Sequence, residues 1–193
     1  MMKSARFAPF LVLLWLSNPA VAQNHVHGQP SPAPKSDAQT SFDTLKNLAG
    51  NWIGPVTFDT APPEGAKDGQ PIQVMMHVTS RGNALVHEIP PIGVPDDPAH
   101  YDHPVTMLYV EDDHLTLVHY CDAGNRPRMV ARKSPDGKTI EFDFVDVSGS
   151  TRYGHMQHAV FTTIDPDHHT EDWTYMLPGD KPMRSHFDLK RVR

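Results

Sequence analysis

Cysteine and positive charge are both scarce in this chain of 193 residues. A single cysteine excludes an intramolecular disulfide, and with it a small fold built on disulfides. The 17 Lys and Arg residues are outnumbered by 23 Asp and Glu residues, which gives a formal charge of -6. Proteins that bind nucleic acid usually carry a basic face toward the phosphates, so this balance argues against a nucleic-acid partner.

Long apolar runs are equally rare, and the one that stands out covers residues 8–16. It follows Lys3 and Arg6 and precedes the small residues Ala20 and Ala22, which is the usual order of a secretory signal peptide. The run is too short to cross a bilayer, which needs roughly 20 apolar residues. The sequence therefore predicts a signal peptide over residues 1–22 and an exported protein, periplasmic or extracellular, without stable membrane insertion.

Residues 23–41 are rich in proline and polar side chains, which predicts a disordered tether. The globular domain is expected to cover residues 42–193. At its start, apolar residues recur at helical spacing behind Ser41, a plausible N-cap, and before Gly50, a plausible stop. We expect one short helix there.

The rest of the chain alternates β-branched and aromatic segments with turn signals, which is typical of consecutive strands. Short strands joined by tight turns must pair antiparallel, and closure into an up-and-down barrel removes exposed edges. The prediction is an all-β, about ten-stranded antiparallel barrel preceded by one helix. The predicted strands are Trp52–Phe58, Ile72–Ser80, Ala84–Ile89, Val105–Glu111, His114–Cys121, Arg128–Ser134, Thr139–Val145, His155–Ile164, His169–Met176 and Arg184–Arg191.

Alternation along these strands predicts which side chains face the interior. In the ninth strand Glu171, Trp173 and Tyr175 share one face, and in the last strand Phe187 and Arg191 do so. The proline-rich loop of residues 90–104 is expected to cover one mouth of the barrel. The turn that holds His168 and His169 is expected to be solvated.

Gly50 and Trp52 at the start of the first strand, with Arg191 near the end of the last, resemble the barrel-closing device of lipocalin-like (calycin) proteins. The segments FDTLKNLAGNWIG, LTLVHYCDAGNRPRM and HTEDWTY resemble the sequences of uncharacterised exported bacterial lipocalin-like proteins. The resemblance covers nearly all of residues 42–193. A more distant likeness is to nitrobindin-like barrels. The resemblance implies that Trp52 closes one end of the barrel and that Arg191 packs over it, a cation against an aromatic face.

A barrel of this length predicts a binding protein that holds a small, mainly hydrophobic ligand in its interior, oriented by a few polar side chains. No catalytic residue is assigned, since the chain has no nucleophile elbow and no H-E-x-x-H motif. The candidate ligand-binding residues are His87, Glu88, His119, Cys121, His158, Glu171, Trp173 and Tyr175.

Two alternatives stay open at this point. One is a metal- or haem-binding barrel, in which inward-facing histidines among His87, His119 and His158 serve as ligands, as imidazole commonly does for transition metals. The nitrobindin likeness draws attention to His186 as a haem ligand, but alternation places it on the wet face. The other is a filled barrel with a structural or interaction role.

Overall fold

In the computed structural model, residues 34–193 apart from 64, 96, 98 and 133–136 are described, and they form one α-helix, one short 3-10 helix at Ser80–Gly82 and ten strands. The strands follow one another around a closed antiparallel barrel, in which the first strand pairs with both the second and the last. Within this part of the chain, no helix has the length and apolar character needed to cross a membrane. The predicted all-β barrel with one preceding helix is confirmed.

The helix α1 spans Asp37–Lys46. The strands are β1 Gly50–Phe58, β2 Pro71–Thr79, β3 Ala84–Glu88, β4 Val105–Glu111, β5 His114–Tyr120, β6 Arg126–Arg132, β7 Thr139–Ser148, β8 His155–Asp165, β9 His168–Leu177 and β10 Lys181–Val192.

All ten predicted strands are present, with ends that differ by at most a few residues. The predicted start of the helix is wrong, because Ser36 rather than Ser41 caps it, through its hydroxyl and the amide of Gln39. The last residues of the predicted tether are therefore helical. Residues 1–33, which contain the predicted signal peptide and most of the tether, lie outside the described residues.

One end of the barrel is closed by α1 and by the start of β1. Trp52 is fully buried there, and its Nε1 donates to the carbonyl of Leu48 at 2.8 Å. Arg191 is its direct partner across the β1–β10 pair, with the guanidinium carbon 4.1 Å from the centroid of the indole ring. The guanidinium also donates to the carbonyls of Asn47, Ala49 and Pro166. A single side chain thus joins the helix end, the first strand and the turn before β9.

Gly50 makes this approach possible. Its φ of +144° lies in a region that L side chains rarely adopt, and a Cβ at this position would overlap the Arg191 guanidinium. The Gly-x-Trp pattern therefore has a steric reason as well as a conformational one.

We predict that Arg191→Lys lowers the free energy of unfolding by about 1–3 kcal/mol, because an ammonium cannot stack flat on Trp52 and donate to three carbonyls at once. Urea unfolding measures the change. The matched control is Arg126→Lys on an exposed strand position, where the loss should be within about 0.5 kcal/mol. Equal stability of the two variants would contradict the role given to Arg191.

Candidate functional site

The opposite, open end of the barrel contains a cavity of about 690 Å³. Its walls come from the ends of β5 and β9, the starts of β8 and β10, and the loops that follow β1 and β3. Most lining atoms are apolar, and Asp102 and Pro104 bring in the predicted covering loop. The aromatic and sulfur-bearing lining residues are Tyr153, Trp173, Tyr175, Phe187, Met156, Met183 and Cys121.

Between the cavity and the closed end lies a buried carboxylate, Glu171 of β9, with no solvent exposure. Its Oε1 is 2.9 Å from Nε2 of His169, and its Oε2 is 2.9 Å from Nε2 of His87. The same Oε2 accepts a hydrogen bond from Nε1 of Trp173 at 2.9 Å. An ionised carboxylate only accepts, so both imidazoles carry a proton on Nε2.

Three N–H donors allow Glu171 to remain charged inside the barrel. Burial alone would raise the pKa of this carboxyl group, but attraction to His87 and hydrogen bonds from His169 and His87 outweigh it and hold the pKa well below its usual range. The Nδ1 atoms of His87 and His169 are buried without a hydrogen-bond partner among the described residues. All the hydrogen bonds of this network are therefore made to one carboxylate, that of Glu171.

The network is linked to both ends of the barrel through ring contacts. His169 meets Trp52 edge to face, with ring centroids 4.2 Å apart. Trp173 is tilted against His87 at 5.5 Å and against His119 at 5.8 Å. Trp173 also lines the cavity, so the carboxylate that holds its indole N–H helps to fix part of the cavity wall.

His119 is the most buried polar side chain that lines the cavity, at 2% exposure. Its Nδ1 lies 2.8 Å from the hydroxyl of Thr106, which stands directly opposite on β4. Burial, with a smaller contribution from His87, lowers the pKa of His119 to about 3. The cavity base therefore presents a neutral imidazole near neutral pH.

Cys121 and Tyr175 line the same cavity nearer its mouth. Burial raises the pKa of the Cys121 thiol, so the thiolate that a nucleophile needs is disfavoured. The phenol of Tyr175 donates to the carbonyl of Tyr153 at 3.0 Å. These features suit a wall that contacts a ligand rather than one that attacks it.

Among the candidate residues from the sequence, six come together in the interior, in two layers. Four of them, His119, Cys121, Trp173 and Tyr175, line the cavity, while His87 and Glu171 form the network next to it. Glu88 is separate from both layers, since its carboxylate lies 3.1 Å from Nε2 of His103 and 3.5 Å from Nδ1 of His77.

The structure does not bring His158 together with His87 and His119. His158 shares the outer face with Glu141 and Asp143, and its two ring nitrogens lie 3.3 Å from their carboxylates. These three side chains are close enough to hold one ion, but Arg132 already pairs with both carboxylates. The barrel wall separates this cluster from the interior imidazoles.

The prediction that His169 lies in a solvated turn is wrong, because its side chain is fully buried. The strand begins at His168, so His169 belongs to the alternating inner set of Glu171, Trp173 and Tyr175, and that parity was the signal available in the sequence. His186 behaves as predicted on the outer face, where its Nδ1 lies 2.7 Å from Asp172. Thr106, Asp102 and Asp122 were missed because no local pattern marks them.

Comparison with protein-family models and with curated protein sequences gives no match. Among solved structures, the chain is similar to Rv2717c from M. tuberculosis, with 15% identity and a TM-score of 0.54 over 79% of this chain and 98% of that one. It is also similar to a Nostoc punctiforme protein of unknown function from the DUF3598 family, with 10% identity and a TM-score of 0.46. That match covers 77% of this chain and 49% of the other. The first likeness and the closed ten-strand barrel agree with a calycin-like architecture, and they concern the fold alone.

The low pKa of His119 gives a pH dependence whose sign can be stated. Below pH about 6.5 the unfolded chain protonates this residue, while the folded protein does not until about pH 3. The contribution of His119 to the free energy of unfolding therefore falls as the pH falls from about 6.5 to about 3, by about 1.4 kcal/mol per pH unit. We predict that the stability advantage of the wild type over His119→Gln shrinks at that rate between pH 6 and 4.

Urea unfolding at a series of pH values tests this prediction. The control is His114→Gln, which changes an exposed histidine at the other end of the same strand. Its stability difference from the wild type should not follow that slope. Parallel curves for the wild type and His119→Gln would show that His119 is not kept neutral by the fold.

Proposed function

We propose that this protein is an exported binding protein that holds a small, mainly hydrophobic molecule in the open end of its barrel. The observation that carries the proposal is the apolar cavity of about 690 Å³ with one buried polar residue, His119, in its wall. Small-molecule sites typically measure about 300–1,000 Å³ and combine apolar walls with a few placed polar groups. A completely filled barrel would not leave such a space.

The residues suggest a division of roles. Trp173 and Phe187 give large apolar contact, and the indole is already fixed by Glu171. His119 offers a polar contact that Thr106 orients. Side chains that are ordered before binding lose less conformational entropy when the ligand arrives. Glu171, His87 and His169 thus support affinity without lining the cavity themselves.

Haem or a transition metal is the second candidate, and the neutral imidazole of His119 favours it, because metals bind the unprotonated ring. His119 is, however, a single donor, since the neighbouring His87 is engaged with Glu171. The described cavity-lining residues include two carboxylates, Asp102 and Asp122, and neither Lys nor Arg to pair with the carboxylates of a porphyrin. The fit to haem is therefore poor at the mouth.

Export belongs to the same proposal and depends on residues 1–22, whose basic start, apolar run and small residues are those of a signal peptide. N-terminal sequencing of protein expressed with its own leader should find Gln23 as the first residue.

Native mass spectrometry, with an absorption spectrum and metal analysis, tests the proposed cargo on the exported protein. We expect an additional mass that organic solvent releases, without stoichiometric metal. A stoichiometric metal or a strong visible haem band would favour the second candidate instead. A protein that has no additional mass and binds no apolar probe would leave the structural role as the better account.

A larger side chain inside the cavity should weaken ligand binding. We predict that Cys121→Phe weakens binding of a neutral apolar fluorescent probe by at least tenfold, because the new ring occupies the space between the cavity walls. The control is Val78→Phe, which adds a similar volume at an exposed position of β2. Fluorescence titration measures both affinities, and circular dichroism verifies the fold. Equal affinity for both variants would place the probe outside the cavity.

A further inference from the structure

The mouth of the cavity carries two neighbouring carboxylates. Asp102, in the loop before β4, and Asp122, just after β5, both line the cavity. Their segments are in contact, since Oδ1 of Asp102 accepts a hydrogen bond from the backbone amide of Asp122 at 3.1 Å. The two aspartates are therefore close neighbours in the cavity lining.

Within the described chain, neither carboxylate forms an ion pair with a basic side chain, and the nearby cations contact other groups. His103 pairs with Glu88 at 3.1 Å, and Arg184 pairs with Asp59 at 3.0 Å. Arg152 lies over the ring of Tyr153, 5.2 Å from its centroid, and is not part of the cavity lining. Among the described residues, the neighbouring His103 attracts Asp102 weakly, and no Lys or Arg is paired with either carboxylate.

The neighbouring groups respond to this charge. Burial and the charge of Asp122 raise the pKa of Asp102. Burial, together with Cys121, Asp122 and Asp102, raises the pKa of Tyr175 to about 12. Each shift has the sign expected where negative charges are close to one another and incompletely solvated. A cation placed here would relieve the repulsion.

The cavity wall is also suited to a cation. Tyr175 and Trp173 present aromatic rings that no cation of the described chain covers, and an ammonium within about 6 Å of such a ring is attracted by its quadrupole. Carboxylates next to aromatic rings form the combination that recognises organic ammonium groups. An anionic head group would meet the two aspartates and find no basic side chain in the described lining.

We infer that the cavity selects amphiphilic organic cations, molecules with an apolar body and an ammonium group that lies between Asp102 and Asp122, in preference to fatty acids or other carboxylates. This inference rests on the proposed binding function and specifies its ligand class. The apolar body would occupy the space beside Trp173 and Phe187, and the ammonium group would remain at the mouth.

Three probes with one apolar skeleton test the inference: 1-naphthylmethylamine, 1-naphthylmethanol and 1-naphthoate, measured by isothermal titration calorimetry at neutral pH. We expect the ammonium probe to bind at least tenfold more tightly than the alcohol, and the carboxylate to bind most weakly. The double variant Asp102→Asn and Asp122→Asn should reduce affinity for the ammonium probe about tenfold and leave that for the alcohol unchanged.

The matched control is the double variant Asp112→Asn and Asp113→Asn, in the β4–β5 turn at the closed end, which removes the same net charge far from the mouth. It should leave all three affinities unchanged. If the alcohol binds but the ammonium probe gains nothing, or if the carboxylate binds best, the inference is overturned while the binding function stands. If none of the probes binds, the binding function and the inference fail together.

Discussion

The carboxylate of Glu171 is the constraint on which the interior of this barrel depends. A charge with no solvent exposure is tolerated only if its hydrogen bonds are satisfied, and here three N–H groups meet it at 2.9 Å. Those donors belong to His87, His169 and Trp173, so one anion fixes three rings. Because His169 also meets Trp52, the order reaches the closed end. Removing the carboxylate would leave all three buried N–H donors without this acceptor, at a typical cost of about 1–3 kcal/mol for each.

This network divides the barrel into two functional halves. On the closed side, Trp52 fills the axis and Arg191 stacks over it, so the core is solid. On the open side, the lining surrounds a cavity instead. Trp173 belongs to both halves, because its N–H binds Glu171 while its ring faces the cavity. The solid half thereby holds one wall of the cavity in one orientation.

Local periodicity accounts for what the sequence could predict. Side chains alternate between the two faces of a strand, and each segment of the sequence shows this alternation by itself. It predicts the strands, their inner faces and the inward placement of Glu171, Trp173 and Tyr175. The contact between His87 and Glu171 spans 84 positions and depends on how many strands lie between them and in which register, so no segment encodes it alone. His169 lies where a turn gives way to β9, so the local turn residues predict exposure while the parity of the strand predicts the burial that is observed.

Specificity in such a site depends on which of its polar groups can adapt. The hydroxyl of Thr106 can donate to or accept from Nδ1 of His119, and its rotation decides whether Nε2 of that neutral ring is a donor or an acceptor. The base of the cavity therefore suits a ligand of either hydrogen-bonding type. Asp102 and Asp122 have no such freedom, because ionised carboxylates keep one sign and one role. Under the proposed binding function, discrimination between ligands would therefore fall to the carboxylates at the mouth, while the base and walls would mainly favour apolar area.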